Sequence, residues 1–231
     1  MTRIFADGAN LKQISLLNQN SRISGFTTNP TLMNKAGVRD YEGFAKDVLN
    51  LIGGKSLSLE VFSDDLGEMK RQAVKISSWG ENVFVKIPVT NTKGIFTSEL
   101  VKELNKCGIK VNVTAVMSPS QIEKVVDSFN PELENYISVF AGRIADTGRD
   151  PLPLMNEALK LVSSSKSTKL IWASPREVLN YYQARYIGCD IITMTEDLIS
   201  KLELEEFDLD EYSLQTVKMF RNDAISAGYE L

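Results

Sequence analysis

A closed (β/α)8 barrel with an extra C-terminal helix is the architecture this sequence predicts. It reads as one domain over residues 1–231, with a helical tail at about 211–231. Three observations carry that reading. Short β-branched runs alternate with helix-like segments roughly eight times, the sequence form of a closed parallel barrel. No G-x-G-x-x-G turn follows the first run, as an open dinucleotide-binding sheet would require. No Pro/Gly/Ser linker, low-complexity tract or repeat divides the chain, and 231 residues suit one sizeable core.

The elements follow in order. "RIFAD" alternates Ile4 and Ala6 with Phe5 and Asp7, which places Asp7 on the inward face of a strand. Asp7 has a second reading, as the cap of the following "GANLKQISLL" helix. "GFTTN" is the next run, closed by Asn29 and Pro30, a cap followed by proline at the first helical position. The amphipathic "YEGFAKDVLNLIGG" leads into "SLSLEVF", where Leu57, Leu59 and Val61 share one face and Ser58 and Glu60 the other. "DDLGEMKRQAVKISSWG" carries a helix start at Ser63 and Asp64 and a stop at Gly80.

In "VFVKIP", Val83, Val85 and Ile87 face helices while Phe84 and Lys86 point inward. "GIFTSELVKELNKCG" is the next helix, and "IKVNVTAV" then turns Asn112 and Thr114 inward. "YISVFAG" sets Ser138 and Phe140 opposite Ile137 and Val139. "KLIWAS", the helical "PREVLNYYQARYIGC" and the run "DIITMT" complete the barrel, and "EYSLQTVKMFRNDAISAG" forms the tail helix.

Composition removes several function classes. The formal net charge of −4 gives nucleic acid and anionic membrane no attraction as partners. No run approaches the roughly 18 apolar residues of a membrane span, and "MTRIFADGAN" turns polar too soon for a signal peptide. Cys107 and Cys189 form no Cys-x-x-Cys pair, which suits a reducing, cytoplasmic compartment. The chain has no histidine, so imidazole-based metal sites are ruled out and proton transfer falls to carboxylates, lysine, tyrosine or water. No metal and no cofactor are expected.

The polar residues Asp7, Thr28, Glu60, Lys86, Thr114 and Ser174 lie at or near the C-terminal ends of their strands, the face where barrel active sites are built. Lys110 and Lys169 instead open theirs. A lysine near a strand end is ordinarily a snorkelling surface residue, but this shared phase points Lys86 into a polar pocket. Desolvation favours a neutral amine, which attacks a carbonyl to form a Schiff base that serves as electron sink for breaking the adjacent C–C bond. Asp7 is the candidate base for the substrate hydroxyl. Glu60, with Thr114 holding a water, is the candidate acid–base for imine formation. Arg143 and Arg176, with the Ser174 hydroxyl, suit a phosphate.

The segments "IFADGAN", "GFTTNPTLM", "SLEVFS", "FVKIPVT", "KVNVTAVMSPSQ", "SVFAGRIAD" and "WASPRE" together resemble the transaldolase family. They are most similar to the small transaldolase-like group that includes fructose-6-phosphate aldolases, in order from about Thr2 to Glu196. The resemblance implies a cofactor-free enzyme with Lys86 as the Schiff-base lysine, Asp7 as proton shuttle, and Glu60 with Thr114 handling water. It implies that Asn29 and Asn112 contact the dihydroxyacetone part of the donor, and that Arg143, Ser174 and Arg176 bind its phosphate. Thr28, Ser138 and Phe140 complete the expected substrate-binding set. Members of the small group assemble into rings of five, paired into decamers through C-terminal helices, which implies a homo-oligomer here.

Glutamate at Glu60 and phenylalanine at Phe140 resemble true transaldolases, whereas the aldolase branch tends to glutamine and tyrosine. The expectation is therefore transfer of dihydroxyacetone from fructose 6-phosphate or sedoheptulose 7-phosphate to an aldose phosphate, a pentose phosphate pathway reaction. Release of free dihydroxyacetone is the alternative. A non-catalytic sugar-phosphate-binding barrel is a second, and a pyridoxal-phosphate barrel, lacking a recognisable phosphate loop, ranks last. Gly8 and Pro175 depart from the family pattern.

Overall fold

The computed structural model describes residues 1–163 and 165–230. It divides into two compact units, Met1–Ile199 and the segment from Ser200 onward. In the first, eight strands close in chain order: β1 (Arg3–Asp7), β2 (Ile23–Thr27), β3 (Ser56–Glu60), β4 (Val83–Pro88), β5 (Val111–Val116), β6 (Asn135–Val139), β7 (Thr168–Trp172) and β8 (Ile191–Met194). All neighbouring pairs are parallel, including the β1–β8 closure. With helices between successive strands this is the (β/α)8 TIM barrel that the sequence predicts.

Both faces of each strand are covered, so the strands are nearly continuous apolar runs. Leu57, Leu59, Val83, Val85, Ile87, Val111, Val113, Ile137 and Val139 are all buried. The inward residues separate into two zones. At the N-terminal end Phe5, Phe84, Tyr136, Ile171 and Ile191 pack into one cluster. Phe84 stacks on Tyr136 with ring centroids 3.9 Å apart, and Phe5 meets Tyr136 edge-on at 5.8 Å. Gly25 is required here: a Cβ would stand 2.7 Å from the Phe5 ring and 2.5 Å from the Ser56 hydroxyl. Burial pushes the Tyr136 phenol up to about 12, as a dry aromatic floor should. The polar inward residues lie above this floor, toward the C-terminal mouth.

The helix starts set the mouth. Asn10, not Asp7, caps the helix Leu11–Asn18, its side chain accepting from the Lys12 and Gln13 amides at 3.0 and 3.2 Å. The capping reading of Asp7 is thereby corrected, because a cap three residues further on satisfies the exposed amides. Asn29 caps Pro30–Lys35 by accepting from Leu32 N–H at 3.0 Å, as expected. Asp65 caps Leu66–Ser77, one residue beyond the expected Ser63–Asp64 start. Asp64 instead accepts from the Thr92 amide and hydroxyl, both at 2.7 Å, and ties the loop after β3 to the loop after β4.

In the second unit a 3-10 turn (Lys201–Leu204) precedes the helix Leu209–Ala227. The Asp208 carboxylate caps it on the Glu211 amide at 2.9 Å, so it begins slightly ahead of the expected position. Leu209, Tyr212, Val217, Phe220 and Ile225 are exposed along it. No described helix is long and apolar enough to cross a membrane.

Candidate active site

The end of β3 and the end of β4 place Glu60 and Lys86 side by side in register. The Lys86 ammonium is buried, 2.9 Å from a Glu60 carboxylate oxygen, and donates a second hydrogen bond of 2.9 Å to the backbone carbonyl of Thr28. A charge so far out of water requires such partners. Two of the three ammonium protons are thereby directed, which fixes the amine over the floor. The Glu60 backbone is held in turn from behind, where the Tyr41 hydroxyl donates to its carbonyl at 2.8 Å.

Asp7 lies across the mouth at the end of β1, in register with Thr27 of β2. The Thr27 hydroxyl donates to the Asp7 carboxylate at 2.7 Å and meets the Thr193 hydroxyl of β8 at 2.5 Å. Burial raises the Asp7 carboxyl above its usual range. The Lys86 charge and the Thr27 hydrogen bond pull it back down, and the Glu60 charge adds a smaller upward push.

A third polar group crosses β3, β5 and β6. The Asn112 amide donates to Ser58 Oγ at 3.1 Å, and its carbonyl oxygen accepts from Ser138 Oγ at 2.8 Å. The side chain is thus locked, with one amide proton left to direct elsewhere. Thr114 follows on β5, its hydroxyl buried without a hydrogen-bond partner in the described structure. The β5–β6 register shifts between Val113 and Val116, and Ala115 takes φ 61°. Such a bulge re-aims the residues at a strand end, and left-handed non-glycine residues gather at functional sites. Ser174, two residues past β7, also has positive φ, 60°.

The last group lies between the loops after β6 and β7. Phe140 packs partly on the interior cluster, and the exposed Arg143 lies over its ring at 5.9 Å. Arg176 forms a two-pronged ion pair with Asp146, its Nε donating at 2.9 Å, and its backbone N–H donates to the Asn180 side chain at 2.8 Å. Gly142 allows the two loops to meet: a Cβ there would overlap the Ser174 carbonyl oxygen, 1.5 Å away. Ser174 and Arg176 therefore come against the short helix carrying Arg143, Ala141–Ala145. Among the described residues, no group of three or more Cys, Asp or Glu stands ready to hold a metal ion.

A buried lysine paired with a carboxylate, a second carboxylate opposite, and two arginines on adjoining loops suit imine chemistry on a phosphorylated carbonyl compound. The family profile described as "Transaldolase/Fructose-6-phosphate aldolase" matches residues 4–229. The chain belongs to that family. It is accordingly an enzyme of the transaldolase and aldolase kind, and the family suggests sugar-phosphate substrates. A probable transaldolase of Dehalococcoides mccartyi is 32% identical over 201 residues, covering 87% of this chain and 89% of that one. A probable transaldolase of Methanococcus maripaludis is 33% identical with the same coverage. Among solved structures, an HpcH/HpaI aldolase/citrate lyase family protein from Burkholderia cenocepacia matches at TM-score 0.61 and 12% identity. It covers 94% of this chain and 95% of its own. At that identity the likeness is one of fold.

In this family member the structure adds residues that sequence reasoning passed over. Thr27, not Thr28, presents its hydroxyl to Asp7, while Thr28 reaches Lys86 through its backbone carbonyl. Strict alternation from Gly25 leads to Thr27, so the signal was present. Thr193 lies in a run recognised as a strand, but its facing was not assigned. Ser58 was read as inward, and its bond to Asn112 spans 54 residues of chain. Asp146 pairs with Arg176 across 30 residues, which no local pattern reveals.

Proposed function

We propose that this enzyme is a transaldolase that carries a dihydroxyacetone unit as a Schiff base on Lys86. The observation that supports this most is the buried Lys86–Glu60 pair at the C-terminal mouth, within electrostatic reach of Asp7.

The positions support the following steps. Lys86 passes a proton to Glu60, its nearest acceptor at 2.9 Å, and the free amine adds to the C2 carbonyl of a ketose phosphate. The added nitrogen gives up one proton to the C2 oxygen, Glu60 returns a second, and water leaves as the iminium forms; Thr114 holds the departing water. Asp7 takes the C4 hydroxyl proton as the C3–C4 bond breaks, and the bonding electrons move into the iminium to give an enamine. The aldose phosphate leaves. An acceptor aldehyde then takes C3 of the enamine, Asp7 gives its proton to the new hydroxyl, and water hydrolyses the iminium.

Asn112, fixed by Ser58 and Ser138, and the free amide edge of Asn29 orient the three-carbon unit; Thr28 supplies the carbonyl that steers Lys86. Arg143, Ser174 and Arg176 grip the phosphate. Phe140 brings no hydroxyl to the imine, which favours transfer over release as free dihydroxyacetone. The donors are fructose 6-phosphate and sedoheptulose 7-phosphate, as in the pentose phosphate pathway. Two unpaired cysteines accord with a cytoplasmic setting. The exposed apolar side chains of Leu209–Ala227 accord with a homo-oligomer, in the limit a decamer.

A donor–acceptor assay tests the proposal. Fructose 6-phosphate with erythrose 4-phosphate, the aldose left when sedoheptulose 7-phosphate loses three carbons, yields sedoheptulose 7-phosphate and glyceraldehyde 3-phosphate. Turnover that requires the acceptor fits transfer. Turnover at the same rate without it, with dihydroxyacetone appearing, replaces transaldolase by aldolase.

A further inference from the structure

We infer that Thr193, acting through Thr27, is a positioning residue for Asp7, and that β8 thereby joins the proton-transfer machinery of the site. The inference rests on the role of Asp7 proposed above.

Counting protons fixes the direction of the chain. The Thr27 hydroxyl has one proton and donates it to Asp7 Oδ1 at 2.7 Å. At the 2.5 Å contact with Thr193, Thr27 is therefore the acceptor and Thr193 the donor. Both threonines are buried, so water does not replace either contact. Successive hydroxyl donors polarise one another, and the terminal donor strengthens the bond that reaches the carboxylate.

The same chain serves the protonated state. When Asp7 holds the proton from the substrate hydroxyl on Oδ1, the chain reverses by rotation of two hydroxyls. Asp7 then donates to Thr27, and Thr27 donates to Thr193. No proton enters or leaves the chain, and Asp7 keeps its position in both halves of the cycle. The register explains why β8 can do this: Thr193 pairs with Phe5 of β1, directly below Asp7, while Thr27 pairs with Asp7 itself. Two other charged groups act on Asp7 from elsewhere, Lys86 on β4 and Glu60 on β3, and Glu196 lines the small cavity that Asp7 also lines. Substitution at position 193 leaves all of these in place.

The test compares Thr193→Val, which keeps shape and loses the hydroxyl, with Thr193→Ser, which keeps the hydroxyl and loses a methyl. Thr193→Ala supplies a second hydroxyl-free variant should valine perturb folding. The expected result for Val and Ala is a roughly three- to tenfold fall in kcat, with KM nearly unchanged. The acidic limb of kcat also moves to higher pH, because ionised Asp7 has lost support, and Ser restores both. Unchanged kcat and pH profile in Val and Ala overturns the inference. So does a Ser variant as impaired as Val, since the effect then follows packing. Borohydride trapping with fructose 6-phosphate on the same preparations separates the two levels of claim. A Lys86 adduct in the unmodified enzyme with no effect at position 193 removes only this inference. Absence of that adduct removes the Schiff-base reading beneath it.

Discussion

Lys86 and Glu60 are register neighbours on β4 and β3, and their side chains close a 2.9 Å ion pair with exposures of only 8% and 18%. Breaking such a pair leaves an uncompensated buried charge, which typically costs about 3–5 kcal/mol. Lys86→Met is expected to abolish turnover and to destabilise the fold on that scale. Lys86→Met combined with Glu60→Gln should recover much of the stability and none of the activity. Chemical denaturation of both variants checks this. A double variant less stable than the single one would mean that the pair does not hold the two side chains together.

Asp7→Asn separates stability from catalysis. The folded carboxyl titrates above its unfolded value, so the native state binds its proton more tightly. Unfolding free energy then falls as pH rises through the window from the ordinary value of 3.8 to the raised folded one, and the cost persists at neutral pH. Removing the ionisable group should raise Tm at pH 7, with the gain vanishing at acid pH below that window. Turnover should fall by about 10²–10⁴, the range for a lost general base. Melting curves across pH would refute the electrostatic account if the gain were largest in acid.

Gly142→Ala tests how the loops after β6 and β7 meet. Its Cβ would stand 1.5 Å from the Ser174 carbonyl oxygen, and backbone cannot rotate aside as a side chain does. The expected cost is about 1–3 kcal/mol or more, with a raised KM for phosphorylated donors as Arg143 and Arg176 separate. Unchanged Tm and KM would show that the close approach is unnecessary.

Arg143→Ala and Arg176→Ala should each lower kcat/KM for fructose 6-phosphate by roughly 10- to 150-fold, the value of a hydrogen bond to a charged group. Activity on unphosphorylated fructose should change little. Steady-state kinetics on the matched pair of donors decides the matter. Equal losses on both would move the arginines from phosphate binding to a structural role.

What was legible in the sequence was local. Period-two alternation is a property of each strand by itself, and it turned Asp7, Glu60, Lys86, Asn112 and Ser138 inward before any strand was paired. The eightfold β-then-α rhythm fixed closure in the same way. Relations between strands were not legible. Alternation from Gly25 sets Thr27 and Thr28 on opposite faces, and the Asp7–Thr27 register shows which of the two meets Asp7. The sequence allows Asp7 as a cap, whereas in the structure Asn10 accepts from the Lys12 and Gln13 amides. The Arg176–Asp146 pair and the Thr193–Thr27 contact join segments 30 and 166 residues apart, and a single sequence has no signal for such pairings.

The central claim is that Lys86 carries the three-carbon unit. Incubation with fructose 6-phosphate, reduction with borohydride and peptide mass spectrometry test it most directly. The account predicts a reduced three-carbon adduct on Lys86 and on no other lysine, absent from Lys86→Met. An adduct on a different lysine, or none from folded enzyme beside a working control transaldolase, would contradict it.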